Sequence, residues 1–194
     1  MDFPDIPASQ FSLTLQHNTH SYESPLTGAT QTSSLPGTKW KAVATYSNKQ
    51  GADARKLKAF VMGLKGRTSL FNYFPPDLDQ QGQGAAPITV NGNSQLGGSI
   101  NIKSTDLNTL LFGAGDYLTV NGELKTALAD CSTDGAGLAN VLFAPDLRKS
   151  PAHASTIEYQ NPYVIMRMED DEQAALQVSG PIIYNASFSM IEAF

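Results

Sequence analysis

Glycine and proline recur along the whole of this 194-residue chain, 16 and 11 of them, and in segments between these breaks apolar and polar residues alternate. Alternation with a period of two puts one face of an extended segment in a core and the other in water, so the chain reads as short strands joined by turns. From Phe11 to Gln16 the order Phe-Ser-Leu-Thr-Leu-Gln places Phe11, Leu13 and Leu15 on one face. From Lys39 to Tyr46 the residues Trp40, Ala42, Ala44 and Tyr46 share a side, in a second strand that carries the only tryptophan. Between the two, Ser24-Pro25-Leu26-Thr27-Gly28 is turn chemistry, and Gln31-Thr32-Ser33 ahead of Pro36-Gly37 is a short polar edge strand.

One segment departs from that period. Leu57, Phe60, Val61 and Leu64 stand at i, i+3, i+4 and i+7, which predicts a single amphipathic helix over 53–65. Asp53 suits a helix N-terminus, Lys65 the last turn, and Gly66 the left-handed stop, with Arg55, Lys56 and Lys58 in solvent. After it, Ser69 to Phe74 is an aromatic strand closed by Pro75-Pro76.

From Asp79 to Ala86 the composition turns polar and Gly-rich, as in a linker. Several short strands follow before Pro151, among them Ile88–Val90, Ser99–Ile102, Tyr117–Val120 and Leu138–Phe143. The hairpin from Asp116 to Leu128 turns at Asn121-Gly122, a pair suited to the two positive φ angles of a type I′ turn. Longer strands resume at 155–159, 163–168, 175–178 and 184–191, with the acidic run Glu169-Asp170-Asp171-Glu172 as a charged loop. The expected architecture is all-β with one flanking α-helix. Residues 1–84 and 156–194 form a discontinuous β-sandwich domain, interrupted by a small β-barrel domain over 85–155.

The charge balance of −5 argues against a surface that grips nucleic acid, which needs clustered Lys and Arg. The start of the chain lacks the basic and apolar regions of a signal peptide, and no stretch approaches the ~18 apolar residues of a membrane span, so no membrane insertion is expected. One cysteine, Cys131, cannot make an internal disulfide.

No constellation for catalysis stands out. Cys131 lies in Ala-Asp-Cys-Ser-Thr-Asp-Gly, which reads as a turn bearing an inert thiol, and no serine sits in a Gly-x-Ser-x-Gly elbow. His17 and His20 are three apart but follow a strand rather than share a helix face, and His153 has no companion ligands. The acids at 169–172 lack the order of a calcium loop. Gly113-Ala114-Gly115 lacks the third glycine of a dinucleotide fingerprint and reads as a turn into a strand. Asn185-Ala186-Ser187 matches a glycosylation acceptor with no secretory context. Tyr22, Trp40, Phe71, Tyr73 and Phe74 could stack on sugars, though aromatics at alternating strand positions usually pack in a core. No catalytic, cofactor or metal site is expected.

The order of the short motifs resembles that of the distal tail proteins of phages and prophages. Those residues are Ser24 to Gly28, Gln31, Gly37 and Trp40, then Ala59-Phe60, Leu64-Lys65-Gly66-Arg67 and Leu70-Phe71. They continue with Val90-Asn91-Gly92, Gly115-Asp116-Tyr117, Asp134-Gly135-Ala136-Gly137, Pro145-Asp146-Leu147-Arg148 and finally Phe188-Ser189 before Glu192. The resemblance covers nearly the whole chain through short motifs in sequence order. It implies a tail-tube-like β-sandwich with a flanking helix and an inserted barrel. It further implies a homo-hexameric ring in the virion tail tip, contacting the tail tube protein and the hub, receptor-binding or fibre proteins, with DNA only in transit. A carbohydrate-binding module for host recognition is the alternative, and an exposed aromatic patch within 87–151 would favour it.

Overall fold

The computed structural model describes residues 1–171, 177–179 and 183–194. The chain is all-β with one α-helix, and its contacts divide it into two compact units. One consists of Ile6–Ser69 and Arg167–Ala193, and the other of Met1–Asp5, Leu70–Met166 and Phe194.

The first unit contains β1 (Gln10–Glu23), β2 (Thr30–Lys49) and α1 (Gly51–Leu64), followed by a 3-10 turn over Gly66–Thr68. Both strands are far longer than the alternation alone predicts. β1 runs on past Gln16 through His17 and His20 to Glu23, and β2 runs straight through Pro36-Gly37. The bulge at that point explains how. Pairing shifts between Gln16 and Asn18, which face Lys39 and Leu35, so three residues of β2 oppose one of β1. A bulge absorbs the proline, which donates no ladder hydrogen bond, and Asn18 pins it by donating from Nδ2 to the Pro36 carbonyl at 2.9 Å.

The expected inward faces are present: Trp40, Ala42, Ala44 and Tyr46 are buried, opposite half-buried Phe11, Leu13 and Leu15. Tyr46 packs edge-on against Phe188 with centroids 5.6 Å apart. Phe188 belongs to the strand Ile183–Glu192, which pairs antiparallel with the core half of β2.

Helix α1 begins two residues before the expected Asp53 and ends one before Lys65. Leu57, Phe60 and Leu64 are buried with Ala54, while Arg55, Lys56 and Lys58 are exposed. The left-handed stop comes one residue earlier than expected, because Lys65 itself takes φ 50° ahead of Gly66 at φ 69°. A Cβ at Gly66 would press on the Asp171 carboxylate, which accepts the Arg67 N–H at 2.8 Å.

The second unit holds β3 (Phe71–Tyr73), β4 (Ile88–Val90), β5 (Gly97–Lys103), β6 (Leu110–Phe112), β7 (Tyr117–Val120), β8 (Glu123–Ala127), β9 (Cys131–Ser132), β10 (Leu138–Leu147) and β11 (Thr156–Ile157). β12 (Val164–Met168) carries the chain from this unit back to the first, where β13 (Gln177–Ser179) and β14 (Ile183–Glu192) follow. Strands β11-β4-β5-β10-β8-β7 form one sheet that is nearly closed, because Thr119 of β7 exchanges both backbone hydrogen bonds with Glu158, just after β11. Inside lie Ile88, Val90, Ile100, Ile102, Val141 and Phe143. The β7–β8 hairpin turns at Asn121 and Gly122 with φ of 53° and 79°, as the sequence predicts.

The unit boundaries fall outside those expected from composition, at about 70 and 166 instead of 85 and 155. Asp79–Ala86 is not a free linker. Asp116 accepts the N–H groups of Gln81 and Gly82, and Asp106 accepts those of Ala85 and Ala86, all at 2.8–2.9 Å. On the far side, Ile157 pairs with Ile88 and Tyr163 is tied to Thr119, so 156–163 also belongs to the barrel.

Candidate functional site

Beyond the bulge, β1 and β2 continue as a two-stranded arm in which residues 16–23 and 30–37 are all exposed. Ser24 to Ala29 turn the chain at its tip, with Gly28 at φ 67° and its N–H donating to Ser24 O at 2.9 Å. Pairing continues to the end, from Asn18 opposite Leu35 to Glu23 opposite Thr30. Directly opposed residues share a face, so the two sides of the arm differ in chemistry. One carries Asn18, His20, Tyr22, Gln31, Ser33 and Leu35; the other carries Thr19, Ser21, Glu23, Thr30, Thr32 and Ser34. The second is almost wholly hydroxyl, while the first exposes Tyr22 and Leu35, and Leu26 at the tip is 94% exposed.

A two-stranded ribbon with no buried face is marginal by itself in water. Among the described residues, no strand pairs with β1 from Ser12 to Glu23 on the side away from β2, nor with β2 from Thr30 to Gly37 on the side away from β1. Long open edges of low charge are templates for further strand pairing. The base of the arm is firmly rooted: the Trp40 N–H donates to Glu192 Oε2 at 3.0 Å, and Lys41 pairs with Glu169 at 2.6 Å.

The residues weighed for chemistry are dispersed. Cys131 is not in a turn but in β9, buried, with its thiol donating to the Asn140 carbonyl at 3.4 Å and its pKa raised by burial. His17 and His20 lie exposed within β1 rather than after it. His153 accepts the Gly92 N–H at Nδ1, 3.0 Å away. In the acidic run, Glu169 and Asp171 hold structural partners, and Glu172 lies outside the described residues, as do 175 and 176 of the expected strand over 175–178. Gly113 to Asp116 forms the expected turn, closed by the Asp116 N–H on Gly113 O at 3.1 Å. Asn185 of the acceptor motif lies in β14 and accepts the Asn48 N–H. No group of three or more His, Cys, Asp or Glu among the described residues is placed to hold a metal ion. No helix among them is long and apolar enough to cross a membrane.

Of the aromatics, Trp40, Phe71 and Tyr73 are buried, Phe74 is 37% exposed and Tyr22 61%. Phe71 and Tyr73 pack on Phe3 with centroids 5.8 and 5.1 Å away. Within 87–151, Phe112 and Phe143 are buried and Tyr117 is half-buried, which leaves no flat aromatic platform there.

Several motif residues serve backbone demands. Asp134 accepts the N–H groups of Ala136 and Leu138 at 2.8 Å, and the Leu138 and Ala136 bonds hold its carboxyl below the usual range. A side chain at Gly137, which sits at φ 74°, would press on the Ser104 carbonyl. Asp116 holds three N–H groups, those of Gln81, Gly82 and Gly113. An aspartate beside glycine, Asp116 after Gly115 and Asp134 before Gly135, is the sequence signal for these clamps; which backbone each holds depends on the fold. No family model matches the chain, and no characterised protein matches it at a significant level.

Proposed function

We propose that this chain is a ring-forming structural protein of a phage-type tail tip, a distal tail protein joining the tail tube to the hub or receptor-binding apparatus around the DNA channel. The observation that carries the reading is the arm. It presents two open edges on opposite sides, β1 on one and the outer part of β2 on the other. Pairing the β2 edge of one copy with the β1 edge of the next is a head-to-tail contact, which generates a ring when the rotation closes. Each such contact satisfies main-chain donors and acceptors that water otherwise solvates, and it costs little electrostatically, because Glu23 is the only formally charged residue in 17–23 and 30–37.

The chain's net charge of −5 supports the second half of the reading, since a weakly acidic lining repels phosphates and lets DNA pass. The motif order supports it as well: Ser24 to Gly28 forms the tip of the arm, Gly37 the bulge, and Trp40 the first buried residue at its root.

Electron microscopy and mass photometry of the purified protein, alone and mixed with its tail tube protein, test the proposal. Closed rings of a single stoichiometry are expected, and replacing 18–35 by an Asn-Gly turn should leave a folded monomer. A monomer in every condition, or rings unaffected by loss of the arm, would sink it.

A further inference from the structure

Residues 79–86 contain no large apolar side chain, and 79, 81, 83 and 85 are exposed. Their seat is nevertheless specific. Five successive or near-successive N–H groups are taken up: Gln81 and Gly82 by Asp116, Gln83 by the Leu110 carbonyl at 2.8 Å, and Ala85 and Ala86 by Asp106. The Gln80 side chain acts as a short piece of strand. Its Oε1 accepts the Tyr117 N–H at 2.9 Å, and its Nε2 donates to the carbonyls of Tyr117 and Tyr159 at 2.7 and 2.9 Å. The Tyr159 hydroxyl donates to the Gly84 and Ala86 carbonyls at 3.0 and 3.2 Å.

These contacts fall where the barrel is least closed. β7 pairs in the ladder with the segment after β11 only at the isolated Thr119–Glu158 bridge, and Gln80 spans Tyr117 and Tyr159, two residues before Thr119 and one after Glu158. The backbone also lies tight on β6, since a Cβ at Gly82 would press on the Leu111 carbonyl and one at Gly84 on the Leu111 side chain.

We infer that 79–86 is a detachable strap that closes the seam of the barrel and opens locally, without unfolding the strands beneath it. The hydrogen bonds that hold it can be replaced by water, whereas Ile100, Ile102, Val141 and Phe143 under the sheet are held by burial. Opening releases the Leu110 carbonyl and the Tyr117 main chain from their bonds to the strap.

Hydrogen exchange of the intact chain, read residue by residue, tests this. The amides of Gln81, Gly82, Gln83, Ala85 and Ala86 should exchange at least ~100-fold faster, after correction for intrinsic rates, than those of Ile100 and Ile102. Asp106→Asn should speed Ala85 and Ala86 a further ~10-fold, and Gly82→Ala should speed the whole strap, both without changing Ile100 or Ile102. Strap amides that exchange at the rate of the barrel core in the unaltered chain would overturn the inference. So would a Gly82→Ala protein in which strap and core accelerate together.

Discussion

Replacing Lys125 by methionine removes a fully buried ammonium of the barrel while keeping its volume. Lys125 Nζ donates to Glu123 Oε2 at 2.7 Å and to the Asp146 carbonyl at 2.9 Å, with the lysine side chain 0% and the glutamate side chain 10% exposed. Breaking a buried pair by deleting one partner costs about 3–5 kcal/mol. Here Glu123 keeps the Arg148 N–H at 3.2 Å and the more distant guanidinium at 3.8 Å, so roughly 2–4 kcal/mol is expected. Glu123→Gln removes the stranded charge, so the double variant should lose less than the two single losses combined, with a coupling of about 1.5 kcal/mol or more. Urea denaturation followed by fluorescence, with unchanged m values, gives all four corners of the cycle. A Lys125→Met protein within about 0.5 kcal/mol of the parent, or strictly additive losses, would refute the assignment of this pair as a buried, coupled interaction.

Tyr46 is buried and its pKa is pushed up from 10 to about 12 by that burial. The unfolded chain therefore ionises first as pH rises. Stability is full below pH 10 and falls by roughly 3 kcal/mol between pH 10 and 12, a loss that Tyr46→Phe should abolish in alkaline denaturation curves. Asp134 has the opposite sign: its depressed pKa gives stability that is present above the ordinary carboxylate range and lost as pH falls through the folded value. Asp134→Asn should lower the urea midpoint at pH 7 and leave a smaller difference from the parent at pH 3. Gly137→Ala combines φ 74° with a clash on Ser104 and should cost about 2 kcal/mol or more in the same assay. Cys131, buried and with a raised pKa, should resist thiol reagents at neutral pH until the barrel unfolds, with modification tracking unfolding in a denaturant series.

Turn and clamp residues hold positions that accept few alternatives. Gly137 and Asp134 occupy places where the backbone tolerates little else. The arm was only partly legible. Its ends were marked by Ser24 to Gly28 and by Trp40, but its polar strands carry no apolar alternation, and Pro36-Gly37 reads as a break. Nothing local announces that a bulge carries the ladder past a proline.

Local patterning by itself determined the strand character of the chain, the single helix stripe of Leu57, Phe60 and Leu64, the Trp40 to Tyr46 inward face and the Asn121-Gly122 turn. Each follows from periodicity or from φ preferences of neighbouring residues, which are properties of short segments. Tertiary structure alone decided that Asp79–Ala86 is strapped to the barrel, that Cys131 is buried, and that β1 and β2 extend together as an exposed arm. Those outcomes depend on partners distant in sequence: Asp116 and Asp106 for the strap, Asn140 for the thiol, and the register between Asn18 and Leu35 for the arm. A polar residue shows that it can bond, and only the folded chain supplies the group it bonds to.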